Sequence, residues 1–101
     1  MNDKSLTDEL KDRLGLVFAS DLKHHIERGV VIVVSPTLDL LKTAVAVAED
    51  DATSVQQWIS EKLISHPTNE EVKSWDKQPQ LQFLSVVVRP YVLAQLHESE
   101  A

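Results

Sequence analysis

The chain reads as a small α+β domain of 101 residues, with a sheet of two or three strands and about five helices packed around it. Three observations predict this. Residues 30–34 are an unbroken run of Val and Ile, stiff at χ1 and suited to a strand covered on both faces. Over residues 38–48, Leu38, Leu40, Leu41, Ala44, Val45, Val47 and Ala48 fill about half a helical circumference at ~100° per residue. So wide an apolar arc marks a central helix packed by more than one neighbour. Residues 81–96 are again rich in branched side chains and read as strand, interrupted at Pro90.

In chain order, residues 5–16 have the spacing of a helix. Ser5 followed by Asp8 resembles a loose capping box, and Leu6, Leu10, Leu14 and Val17 make one narrow apolar stripe. Ser20 is placed to cap a second helix over 21–28, with Leu22 and Ile26 inward and Phe18 packed beside them. Gly29 stands where a C′ glycine belongs. After the strand at 30–34, Ser35 fits the N-cap of the central helix and Pro36 its first position, where a missing N–H costs nothing. Asp39 then falls in the first turn.

Asp51 or Thr53 caps a fourth helix running to about residue 63, with Val55, Trp58, Ile59 and Leu63 as its inner stripe. Thr68 to Glu71 forms a good capping box for a short helix that turns Val72 and Trp75 inward. Beyond Pro90, residues 91–96 read as a bent edge strand, the alternative being a terminal helix opened by Pro90. Residues 1–4 and 97–101 are expected to fray. If the strand at 30–34 lies at a sheet edge, a second copy completes it, and a homodimer follows.

Composition narrows the function classes. The net charge is -6 and the ten basic residues are scattered, which argues against a nucleic-acid footprint. There is no cysteine and therefore no disulfide, in keeping with a reducing compartment. The mixed-charge N-terminus lacks the apolar core of a signal peptide. The apolar runs at 30–34 and 44–48 are far short of the ~20 residues a membrane helix needs. A cytoplasmic protein is expected, with no membrane partner.

The residues that carry chemistry elsewhere do not assemble into a catalytic pattern here. Ser35 lies between a strand and a helix, but G-x-S-x-G is absent, and Pro36 has no N–H to donate to an oxyanion. The same turn holds no glycine, so it lacks a phosphate-binding loop, and Asp39 already occupies the positive helix end. Glu49, Asp50 and Asp51 are unusual because carboxylates at a helix C-terminus oppose the dipole. One of them caps the next helix on the plainer reading. On the sharper one, Asp39 with Glu49, Asp50 and Asp51, joined by His25, forms a divalent-cation or ligand patch.

Against that patch, Asp39 and Asp50 are nearly three turns apart on one helix. His24 and His25 are adjacent, so they diverge by ~100° and cannot chelate together. Asp21 and His25, four residues apart, read as a side-chain pair. His66 and His97 carry no signal, and Trp58 and Trp75 read as core anchors.

Several blocks resemble a family of small bacterial proteins known only as a domain of unknown function. They are Ser35-Pro36, Leu38-Asp39-Leu40-Leu41, the Ala46-Val47-Ala48-Glu49-Asp50-Asp51 run, residues 55–58, Pro67-Thr68, Trp75 and Pro90-Tyr91-Val92-Leu93. The resemblance spans residues 10–96. It implies a bacterial, cytosolic, single-domain protein and brings no activity, cofactor or site residue. The expectation is a non-enzymatic binding or protein-interaction module, self-associating or with another protein, with no catalytic residues and no cofactor. The alternative is a ligand- or metal-dependent protein using Asp39 and the carboxylates at 49–51.

Overall fold

The computed structural model describes residues 5–97. Five helices and five strands follow one another along it: α1 (Leu6–Asp12), β1 (Gly15–Phe18), α2 (Ala19–Glu27), β2 (Val31–Val34), α3 (Leu40–Ala48), α4 (Ala52–Ser60), β3 (Ile64–Ser65), α5 (Asn69–Asp76), β4 (Gln82–Val88) and β5 (Tyr91–Leu96). The α+β class and the helix number agree with the sequence reading. The sheet does not: it has five strands, in the order β1-β4-β5-β2-β3. Only β2 and β5 run parallel; the other three pairings are antiparallel.

The two extra strands are the short ones. Residues 15–18 do not close the first helix; they form β1, paired with β4 from Gly15↔Ser85 to Phe18↔Gln82. Ile64 and Ser65 form β3 against Val34 and Val33. The strand at 30–34 is therefore flanked on both sides. The bent edge strand expected at 91–96 is the middle of the sheet, with Val92, Leu93 and Ala94 all buried. Arg89 and Pro90 lie in the tight connection between β4 and β5, where Val88 pairs with Tyr91.

Helices cover both faces. On one, α1, α3 and α4 pack over Leu10, Val34, Leu40, Ala44, Val86 and Leu93. On the other, Ala19, Leu22, Val31, Phe83, Val92 and Ala94 form the core, with Ile26 and Trp75 packed against it from α2 and α5. Trp75 meets Phe83 edge-on at 4.9 Å, a geometry that aromatic quadrupoles favour. Strand alternation divides the two cores: Ile32 and Leu93 face α3, while Val31 and Val92 face away from it.

Helix ends follow local chemistry. Ser5, Asp39, Asp51 and Thr68 each accept a backbone N–H three residues on. Glu71 returns the bond to the Thr68 N–H at 2.9 Å, completing the capping box. Gly29, with φ +75, is the C′ residue of α2, as its position in sequence indicates. Two ends depart from expectation. The second helix starts at Ala19, not after a Ser20 cap, because the Asp21 carboxylate accepts the Phe18 N–H at 2.9 Å. Phe18 itself is 45% exposed and does not pack inward.

The central helix starts at Leu40, capped by Asp39, not at Pro36 capped by Ser35. The Leu38 N–H closes a turn on the Ser35 carbonyl at 3.0 Å. Gln95 Nε2 then donates to the carbonyls of Ser35 (2.8 Å) and Leu38 (2.7 Å). Those acceptors are thereby satisfied outside the helix. Thr43 is buried, its hydroxyl satisfied by donating to the Asp39 carbonyl at 2.9 Å. Expected fraying at 1–4 and 98–101 lies outside the described residues. His97 is held, its N–H donating to the Gln82 carbonyl at 3.0 Å.

Candidate functional site: the groove beside α4

A sizeable concavity follows from how α4 is seated. The helix packs on α3 and on the two-residue β3, and it buries none of its nine residues. Of the inner stripe expected from sequence, Val55 and Trp58 are half-buried, and Ile59 is 55% exposed. Between α4 and the sheet lies a groove of about 620 Å³ with apolar walls from Ile32, Val47, Val55, Ile59, Ile64 and Tyr91. That volume falls in the range of ~300–1,000 Å³ typical of binding clefts. Its polar groups are Asp50, Lys62, Ser65 and His66.

Two of these hold an unusual backbone. Asp50 (φ 55) and Lys62 (φ 62) are left-handed without being glycine. Each is the C′ residue of a helix. After α3, the N–H groups of Asp50 and Asp51 return to the carbonyls of Val47 and Ala46. After α4, those of Lys62 and Leu63 return to Ile59 and Trp58. Both are Schellman closures. They place one carboxylate just before α4 and one ammonium just after it, on the same groove.

His66 is set by strand register. With Val33 paired to Ser65, the antiparallel ladder would next bring Pro67 opposite Val31. Proline has no N–H to give. His66 Nδ1 lies 3.1 Å from the Val31 carbonyl instead. A carbonyl only accepts, so Nδ1 carries the proton and Nε2 is the free ring nitrogen.

The carboxylates singled out in the sequence are dispersed. Asp39 caps α3 through the Lys42 N–H at 3.1 Å, and Asp51 caps α4 through the Ser54 N–H at 3.2 Å. Hydrogen bonds from the Ser54 side chain, then from its backbone, hold the Asp51 carboxyl below its ordinary value. Glu49 and Asp50 are exposed, and of the five residues only Asp50 lines the groove. Asp39 is separated from Asp50 by the length of α3 and its caps, ~16 Å. His25 sits on α2, which packs beside α5 against the other sheet face. Among the described residues no three His, Cys, Asp or Glu side chains come together as a metal site. Asp21, read as a partner of His25, is engaged with the Phe18 N–H.

Sequence reasoning missed His66, Lys62 and Tyr91 as groove residues. For His66 a signal existed: a histidine immediately before a proline, at the end of a strand that the proline must stop.

These features define a small α+β domain, a mixed sheet between two helix layers with an open apolar groove at one edge. The chain belongs to the family described as "Protein of unknown function (DUF2288)", whose model matches residues 5–96. Among solved structures it is similar to the one titled "NMR solution structure of PA1075 from Pseudomonas Aeruginosa". That similarity has 26% sequence identity and a TM-score of 0.80, over 100% of this chain and 94% of the other. No curated protein matches. No described helix is long and apolar enough to cross a membrane.

Proposed function

We propose that this protein is a non-enzymatic interaction module that binds through the groove beside α4. The observation that carries the reading is the state of α4 itself. A helix with a clear apolar stripe buries no residue, and its Ile59 stands 55% exposed next to an apolar groove. An exposed apolar surface rimmed by polar groups marks a docking surface more often than a solvated one. The acidic balance and scattered basic residues favour a protein partner over nucleic acid.

A second reading, dependence on a small ligand or divalent metal, retains Asp50, which lines the groove; Asp39, Glu49, Asp51 and His25 do not line it. Thermal unfolding separates the two. The chain is scanned with magnesium, calcium, manganese and zinc salts, a chelator, nucleotides and common metabolites. The module reading expects no shift with any of them. A ligand present at 100 times its Kd adds about 2.7 kcal/mol. A rise of that size with one additive, lost in Asp50→Asn, replaces the module reading with the ligand-dependent one.

A further inference from the structure

We infer that the partner docking on α4 is a second copy of this chain, with the two α4 helices antiparallel across a two-fold axis near Gln56. This rests on the interaction-module reading and names its partner.

A closed pair of identical chains needs a surface that complements itself: if one residue meets another, the reverse contact must also form. The surface beside α4 has that pattern. Gln56 is the central residue of Ala52–Ser60. Asp50 stands six residues before it and Lys62 six after it, and both line the groove. Rotation about an axis through Gln56, perpendicular to the helix, sets each Asp50 against Lys62 of the other copy. Two opposite-charge contacts form at the ends of one apolar strip.

The apolar part is complementary as well. Ile59 projects from α4 with 55% of its surface exposed. Ile32, Val55 and Tyr91 line the concavity next to it. Antiparallel packing gives each Ile59 the other copy's groove to fill, an apolar centre with a charged rim. The positive end of each α4 dipole also faces the negative end of the other.

Asp51 and Glu61, equally spaced about Gln56, would bring like charges together. They are turned elsewhere. Asp51 accepts the Ser54 N–H at 3.2 Å, and Glu61 accepts from Gln57 Nε2 at 3.4 Å. Neither lines the groove.

The other exposed apolar pair, Leu16 (53%) and Phe18 (45%), lies on edge strand β1. Strand addition there would need the Phe18 N–H, which the Asp21 carboxylate already holds at 2.9 Å. Self-association is thus directed to α4.

The test is sedimentation velocity on the full chain over a wide concentration range, with circular dichroism confirming the fold of every variant. The wild type is expected to reach twice the chain mass of 11.3 kDa. Ile59→Asp is expected to stay monomeric with an unchanged fold. Asp50→Lys and Lys62→Asp alone are each expected to raise the dimer dissociation constant about tenfold or more, the effect of ~1.4 kcal/mol. The double exchange, Asp50→Lys with Lys62→Asp, is expected to recover most of that loss.

A wild type that stays monomeric throughout overturns the proposal. So does a dimer indifferent to Ile59→Asp, or a double exchange no tighter than its single members. A monomer that also shows no ligand-dependent thermal shift overturns only the second copy as partner, leaving the module reading in place.

Discussion

Helices α3 and α4 are near twins in local structure and opposites in burial. Both have nine residues, and both are capped by an aspartate that accepts a backbone N–H. Both end on a left-handed residue other than glycine. Yet α3 buries Leu40, Thr43, Ala44 and Ala46, while α4 buries none. The difference is where each lies. Helix α3 crosses the middle of the sheet, touching β4 and β5, whereas the main sheet contact of α4 is the two-residue edge strand β3. Capping chemistry determines where a helix begins and ends; its seat on the sheet determines what its apolar side can bury. The same kind of apolar stripe is core in one helix and half-open in the next.

Side-chain truncation puts this contrast to its hardest test. Leu40→Ala, at a position 4% exposed, is expected to cost about 3 kcal/mol through lost transfer energy and a residual cavity. Ile59→Ala, measured at dilutions where the chain is monomeric, is expected to stay within about 0.5 kcal/mol. Urea denaturation of both variants reads the difference directly. Equal losses would mean that α4 is seated as deeply as α3.

A subtler change probes why α3 tolerates a buried threonine. Thr43→Val keeps the shape and removes the hydroxyl that donates to the Asp39 carbonyl. The expected loss is about 1 kcal/mol by the same denaturation assay. No loss would show that shape alone holds the position.

The smallest effect concerns the cap of α4. The Ser54 hydrogen bonds hold the folded Asp51 carboxyl below its ordinary value, so its contribution is fully present above that ordinary value. It is lost as pH falls through the lower folded-state value. Asparagine caps as well as aspartate but does not titrate. Asp51→Asn should therefore flatten the acid limb of the stability–pH curve slightly and leave neutral stability almost unchanged. Urea midpoints measured down that limb, overlaid for the two proteins, check it; identical curves would remove the cap from the account.

What the sequence discloses follows the same division between local and distant causes. Gly29, the Thr68–Glu71 box, Asp51 and the branched strands are legible because their partners lie within a few residues. Strand β1 is not, since its four residues become a strand only by pairing with Gln82 to Ser85. Leu14 and Val17 meanwhile continue the spacing of the first helix. The start of α3 is hidden similarly, because Gln95, far along the chain, holds the carbonyls of Ser35 and Leu38. The groove was the least legible feature. Its apolar wall in α4 carries the pattern of a buried stripe, and beside the two-residue β3 part of that stripe, Ile59 above all, stays uncovered.

The end of β3 also bears on how the molecule behaves in a crowded solution. A sheet with a bare margin is a template on which further chains polymerise. Here the last strand is two residues long, Pro67 follows one residue later, and the His66 ring covers the Val31 carbonyl. A strand that lengthened the pairing along β2 would have to dislodge the imidazole and displace Pro67, while β3 itself offers an edge of only two residues. The molecule can therefore expose apolar surface for association without seeding fibrils from that margin of its sheet.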